Sequence, residues 1–334
     1  MKWTIQKILD WTKGYFESWN VDNPMLDAQC LLQHVLGITK VQMMIDSARP
    51  LEDEELARYK ALITRRAKER IPVAYLLGKR EFWSMMFRVT PDVLIPRPDT
   101  ECVVERALEF ALERLEGRMP RWLLEQPRKI VYDFVRDSRF HDEDAQNDEI
   151  TGTPVEIGRS EPAKTLTILD VGTGSGAIAL ALASEIPVSS RTIVAIDISP
   201  AALALARENA QSNGLMENMT FLESDVLDNY KATADLIVSN PPYISQEEMK
   251  TLMPEVQCEP RLALEAGMDG LDVYRKLIPQ SYKALVEGGM LIVEIGCTQA
   301  EQVSALFAES GFERIRAFED YAHKPRMVLG IKTR

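Results

Sequence analysis

The run Thr167-Ile168-Leu169-Asp170-Val171-Gly172-Thr173-Gly174-Ser175-Gly176-Ala177 decides how this chain folds. Its first half is apolar enough for a buried strand, and it leads into a glycine-rich turn that opens a helix. Glycine at 172, 174 and 176 removes the Cβ atoms that would keep backbone away from a ligand. The same glycines would also suit a tight strand–helix turn that binds nothing, and the next strand separates the two readings. Thr192-Ile193-Val194-Ala195-Ile196-Asp197 ends in a carboxylate 21 residues after Gly176. An acid at that place accepts hydrogen bonds from both ribose hydroxyls of an adenosine ligand.

Two ligands share this geometry. A dinucleotide rests its pyrophosphate on the helix N-terminus, whereas S-adenosylmethionine (AdoMet) has no phosphate and is cationic at sulfur. Asp170 places negative charge near where the amino acid part of AdoMet would lie. The spacing G-x-G-x-G, in place of G-x-G-x-x-G, leans the same way. Asp225, after the third strand, is placed to take the adenine amino group, or else is a solvated loop acid.

Outward from this run, short apolar stretches alternate with helical patterns. Strands are expected at Leu166–Val171, Thr192–Asp197, Met219–Leu222, Leu236–Ser239, Met290–Ile295, Phe312–Ala317 and Met327–Ile331. Helices are expected at Ala177–Ser184, Pro200–Ser212, Leu271–Val286 and Ala300–Glu309. Such alternation predicts an α/β fold with an open, mostly parallel sheet covered on both faces.

The fourth strand ends in Asn240-Pro241-Pro242-Tyr243. At the carboxyl end of a sheet strand this tetrapeptide overlooks the same crevice as the glycine turn. Proline fixes φ and has no N–H, and the residue before it is held extended. The loop is therefore stiff, rich in acceptors and poor in donors. A planar amide or aromatic amine needs such a loop before its weakly nucleophilic nitrogen can be methylated. The Asn240 side-chain oxygen and the Pro241 carbonyl can each accept one N–H, and Tyr243 offers a flat face to the planar group. Positioning and fixed dipoles would supply the rate enhancement.

Composition sets the outer limits. The chain has 334 residues, 39 Lys plus Arg and 51 Asp plus Glu, for a formal net charge of −12. A general polyanion binder needs the opposite balance, so no nucleic-acid partner is expected. Four scattered cysteines with no C-x-x-C pair indicate neither a zinc site nor a disulfide framework, and no metal is expected. No apolar run reaches the roughly 18 residues of a membrane span. Asp10 interrupts the N-terminus before any long apolar stretch, so a cytoplasmic protein without a signal peptide is expected. Residues 1–80 read as a helical bundle, 81–116 as a β-hairpin and linking helix, and 166–334 as the catalytic domain. Between them, 117–165 is acidic and turn-rich, and is expected to be a mobile insertion. The basic residues Arg58, Lys60, Arg65, Arg66, Lys68 and Arg70 read as a solvated helix face.

Several stretches together carry a family resemblance. They are Pro72-Val73-Ala74-Tyr75-Leu76-Leu77-Gly78, Arg80-Glu81-Phe82-Trp83, Ile95-Pro96-Arg97-Pro98-Asp99-Thr100-Glu101, Asn240-Pro241-Pro242-Tyr243 and Glu259-Pro260-Arg261-Leu262-Ala263-Leu264. With them the chain resembles the HemK/PrmC family, methyltransferases that modify a glutamine side chain in class 1 peptide chain release factors. The resemblance implies a class I AdoMet-dependent methyltransferase with a Rossmann-like seven-stranded sheet, a small N-terminal helical domain and a connecting β-hairpin. It implies that the substrate glutamine lies in a Gly-Gly-Gln motif and that AdoMet leaves as S-adenosylhomocysteine. Gly172, Thr173, Gly174, Ser175, Gly176, Asp197, Asp225, Val226 and Asn240 would hold the cofactor, and Asn240, Pro241, Pro242 and Tyr243 the glutamine. Family members often carry an aromatic residue near the adenine where this chain has Val226. A monomer is expected. The rival readings are an adenine-N6 nucleic-acid methyltransferase, which shares the tetrapeptide, and a glutamine methyltransferase of a ribosomal protein.

Overall fold

The computed structural model describes residues 2–124 and 165–333. They divide into two units, Met1–Ile95 with Glu247–Leu264, and Pro96–Gln246 with Glu265–Arg334. The acidic stretch expected as a mobile insertion falls, over 125–164, outside the described residues.

The first unit opens with helices α1 (Ile5–Ser18), α2 (Pro24–Leu36), α3 (Lys40–Ile45), α4 (Asp53–Lys68) and α5 (Val73–Leu77). An antiparallel hairpin follows, β1 (Lys79–Phe82) paired with β2 (Met85–Arg88). The second unit carries α6 (Glu101–Leu115), α7 (Arg121–Leu124), β3 (Leu166–Val171), α8 (Ala177–Glu185), β4 (Arg191–Asp197), α9 (Pro200–Ser212), β5 (Met219–Glu223) and β6 (Ala234–Ser239). After β6 the chain enters the first unit through α10 (Gln246–Met249) and α11 (Pro254–Gln257). It returns with α12 (Asp272–Ala284), β7 (Leu285–Glu294), α13 (Ala300–Glu309), β8 (Glu313–Glu319) and β9 (Pro325–Ile331).

In the first unit, apolar residues at helical spacing turn one face of each long helix inward. Ile5, Ile8, Leu9 and Phe16 of α1 meet Leu31, Leu32 and Val35 of α2 and Tyr59 and Ile63 of α4 in one core. Pro24 occupies the first turn of α2 and Gly37 closes it at φ +66°. The expected basic face of α4 is not one solvated surface. Arg66 is buried, pairing with Asp27 and with Glu255 of α11 at 2.7 Å each, and Arg70 also reaches Glu255. Buried Glu259 accepts the Ile95 N–H at 3.0 Å. These bonds explain why the first unit extends to Ile95 and takes in Glu247–Leu264, beyond the expected limit of 80.

The second unit is built on a seven-stranded sheet in the order β5-β4-β3-β6-β7-β9-β8. Neighbours from β5 to β7 run parallel, and β9 is antiparallel to both β7 and β8. The expected strands and helices are present, with ends that move by a few residues. The largest shift is at β7, which begins at Leu285 directly after α12, where a helix through Val286 was expected. Residues α8 buries, Ala177 to Ala183 without a gap, have no polar side to offer solvent. Residues 117–124, expected within the insertion, are instead partly packed. The Trp122 ring meets Phe318 of β8 edge-on at 5.4 Å, Arg106 lies over both rings, and Leu123 is buried.

Candidate active site

Strand order reverses between β3 and β6, and in open α/β sheets ligands bind beyond the carboxyl ends of the strands at such a switch point. The glycine turn leaves β3 there and Asn240 leaves β6. Gly172 has φ +74°, a conformation L residues rarely adopt. A Cβ on it would sit 3.9 Å from the Asn240 carbonyl oxygen, so no side chain intervenes between turn and tetrapeptide. Gly176, at φ +85°, lets α8 pass close to α9: its Cβ would stand 3.3 Å from that of Ala206.

The donors of this turn discriminate between ligands. Gly172 and Thr173 N–H donate to the Ile196 carbonyl at 2.8 and 2.9 Å, and Gly176 N–H donates to Thr173 at 2.8 Å. Gly174 N–H donates to Asp197 Oδ2 at 2.8 Å. Asp170 Oδ2 accepts from Thr173 Oγ1 at 2.7 Å and from Ala179 N–H at 3.0 Å, at the start of α8. A pyrophosphate would therefore meet amides already engaged and two carboxylates. A nucleoside carrying a sulfonium and an ammonium group meets charges of the right sign, so the residues fit AdoMet. Asp170 Oδ1 is buried without a hydrogen-bond partner, and burial raises this carboxyl to about 7. Asp197 is also raised by burial, against the pull of N–H groups from Ser199 and Gly174. Thr173 and Ser175 are buried. Thr173 serves Asp170, and the Ser175 carbonyl accepts from Asn209 Nδ2 at 2.9 Å, so both support the turn.

Asp225 and Val226 follow β5 in a loop held by α12. Lys276 pairs with Asp225 at 2.6 Å, and Leu227 N–H donates to Gln280 Oε1 at 2.8 Å. Asp225 is exposed and already engaged by that lysine. Val226 has φ +54°, a strained state for a β-branched residue.

The tetrapeptide is braced from behind. Gln299 Nε2 donates to the carbonyls of Tyr243 and Gly270 at 3.0 and 3.3 Å, while its Oε1 accepts from Gly296 N–H. Pro241 is buried, and Pro242 and Tyr243 are half-buried. Burial pushes the Tyr243 hydroxyl up to about 12, so it stays neutral and is no base near pH 7. The Asn240 side chain donates through Nδ2 to Thr100 Oγ1 at 3.2 Å, while its Oδ1 is buried with no partner. Thr100 in turn donates to Glu294 Oε2 at 2.6 Å. Sequence reasoning gave Thr100 and Glu294 no role, although a lone carboxylate in the apolar run Leu291-Ile292-Val293-Glu294-Ile295 is a legible anomaly. Gln299 left no such signal. Among the described residues no cluster of His, Cys, Asp or Glu is arranged to hold a metal, and no helix is long and apolar enough to cross a membrane.

Two family models match the chain, the PrmC N-terminal domain over residues 7–78 and the methyltransferase small domain over 159–267. A release factor glutamine methyltransferase of Geobacter sulfurreducens is 38% identical over 312 residues, 93% of this chain and 90% of that protein. Another, from Escherichia coli (strain K12), is 36% identical over 313 residues, 92% of each. Among solved structures, a ribosomal protein L11 methylase from Lactobacillus delbrueckii subsp. bulgaricus is 25% identical with a TM-score of 0.38, covering 52% of this chain and 73% of that one. Sheet order, acid-lined glycine turn and matched domain define a class I AdoMet-dependent methyltransferase. Within that class, the chain belongs to the release factor glutamine methyltransferase family, on identity that runs through both units.

Proposed function

We propose that this protein methylates the side-chain amide nitrogen, N5, of the glutamine in the Gly-Gly-Gln motif of class 1 release factors. The observation that carries the reading is Asn240 Oδ1, a buried carbonyl oxygen without a partner. Leaving such an acceptor unpaired costs about 1–3 kcal/mol, which a bound amide N–H recovers. Asn240 Oδ1 takes one N–H of the glutamine amide and the Pro241 carbonyl takes the other. Holding both hydrogens turns the nitrogen lone pair toward the methyl group and favours its rehybridisation. Pro242 keeps the loop stiff and Tyr243 lies along the amide plane. No general base is needed beforehand, in keeping with a Tyr243 that remains protonated: the N–CH3 bond forms as the S–CH3 bond breaks, and the methylated nitrogen then gives up one of its two protons to water.

AdoMet supplies an electrophilic methyl group on a sulfonium. Gly172, Thr173, Gly174, Ser175 and Gly176 would hold it through backbone, Asp197 would accept from its ribose hydroxyls, and Asp225 and Val226 would line the adenine side. The names of the relatives support a release-factor partner, and the net charge of −12 disfavours nucleic acid. Transfer of labelled methyl to a purified release factor, beside its Gly-Gly-Gln→Gly-Gly-Ala variant, a ribosomal protein and adenine-rich duplex DNA, tests the assignment. Label on the wild-type factor alone is expected; label on DNA, on the ribosomal protein or equally on both factors would overturn it.

A further inference from the structure

Thr100 ends the short 3-10 turn Pro98–Thr100 that runs directly into α6, with helical backbone at φ −67° and ψ −19°, and its hydroxyl caps no backbone N–H. It donates to Glu294 Oε2 at 2.6 Å and accepts from Asn240 Nδ2 at 3.2 Å, and both Thr100 and Glu294 are buried. A hydroxyl has one hydrogen, and an ionised carboxylate only accepts. With that hydrogen committed to Glu294, the Thr100 oxygen presents nothing but a lone pair to Asn240. The Asn240 amide must then turn its NH2 group toward Thr100 and its Oδ1 away. Strand register puts the pieces in place, because Ser239 of β6 lies opposite Val293 of β7, so that Asn240 and Glu294 leave adjacent strands together. The Tyr274 hydroxyl holds the Glu294 carbonyl from below at 2.7 Å.

We propose that Thr100, backed by Glu294, is a positioning residue that fixes the Asn240 amide with Oδ1 free to accept the substrate N–H. The inference rests on the reading of Asn240 as the amide clamp. An asparagine amide is close to symmetric in shape, so packing alone discriminates poorly between its two orientations. The flipped form would point an N–H at the substrate N–H and hold nothing. Thr100 settles the choice without touching substrate or cofactor.

Thr100→Val keeps the shape and removes the hydroxyl, whereas Thr100→Ser keeps the hydroxyl. Loss of one such bond is expected to lower kcat about tenfold in Thr100→Val, with KM for the release factor and AdoMet affinity nearly unchanged. Thr100→Ser is expected to stay near wild type. In the ligand-free protein, the Asn240 side-chain amide protons, assigned by their disappearance in Asn240→Ala, report the contact directly. One is expected downfield and slow to exchange in wild type and Thr100→Ser, and neither in Thr100→Val. Wild-type kcat in Thr100→Val, equal losses in both variants, or unshifted Asn240 resonances would overturn the positioning role while leaving the clamp standing. Full turnover by Asn240→Ala would instead remove the clamp and this inference with it. Should Thr100→Val fail to fold, Glu294→Leu frees the same hydroxyl hydrogen and is expected to lower kcat and blur the same resonances; wild-type values for both would overturn the proposal.

Discussion

Glu294 is a carboxylate in the interior, and its protonation decides what Thr100 can do. Burial dominates over the attraction of Arg326 and Arg97, with Asp99 pushing the same way as burial, and raises the group to about 7. Above that pH the carboxylate accepts the Thr100 hydrogen; below it, the acid can donate to Thr100, whose own hydrogen is then free to rotate toward Asn240. Activity needs the ionised form, so kcat is expected to fall as pH drops through about 7. A pH–rate profile of Glu294→Gln should lack that limb. A limb that persists unchanged in this variant belongs to another group, with Asp170 next in order. Asp197 makes a different contribution, since its oxygens brace Gly174 and Ser199 and keep lone pairs for two hydroxyls. Asp197→Ala is expected to weaken AdoMet by about 1–3 kcal/mol, and unchanged affinity by calorimetry would take Asp197 out of the site.

At the scale of elements, the tetrapeptide owes its position to two further loops, one that follows β7 and one that leads into α12. Gln299, just before α13, grips the carbonyls of Tyr243 and Gly270, and Gly270 lies at φ +75° against the same carbonyl. A Cβ at 270 would fall 2.4 Å from the Tyr243 oxygen, and that oxygen is backbone with no cheap way to move. Gly270→Ala is therefore expected to push the tetrapeptide out of place. A 1 Å misplacement near the reacting atoms can cost on the order of a hundredfold in rate. AdoMet affinity should change little, because the glycine turn has its own bonds to β4 and α8. Normal turnover by Gly270→Ala, measured beside AdoMet titration, would show the loop to be less tightly coupled than this packing requires.

Across the whole molecule, the two buried acids oppose activity in their effect on stability. Asp170 and Glu294 are both raised to about 7 in the fold, above the values they regain on unfolding. The native state therefore binds more protons than the unfolded chain between those values, and stability falls as pH rises toward 7. Each acid contributes at most about 1.4 kcal/mol per pH unit. Melting temperature is expected to climb as pH is lowered from 8 toward 5 while kcat declines. The double variant Asp170→Asn, Glu294→Gln should flatten the melting trend, and an equal slope in both proteins would exclude these acids as its source.

The sequence by itself determined whatever local chemistry encodes. Apolar period gave the strands, and glycines 172, 174 and 176 marked a turn that the backbone indeed makes in left-handed conformations. Tandem prolines after Asn240 made a stiff, acceptor-rich loop readable. The helix ends at Pro24 and Gly37 were equally local. Partnership across the chain was not readable. Thr100 and Glu294 are 194 positions apart and Thr100 and Asn240 are 140 apart, yet one hydroxyl joins them. Arg66 looked like part of a solvated face until Asp27 and Glu255 proved to enclose it. Side-chain pattern reports the period and turns of a segment, whereas the order β4-β3-β6-β7 decides which strand ends emerge side by side. That order is fixed by how buried faces pack, so which oxygen of the site is left free was a matter for the tertiary structure alone.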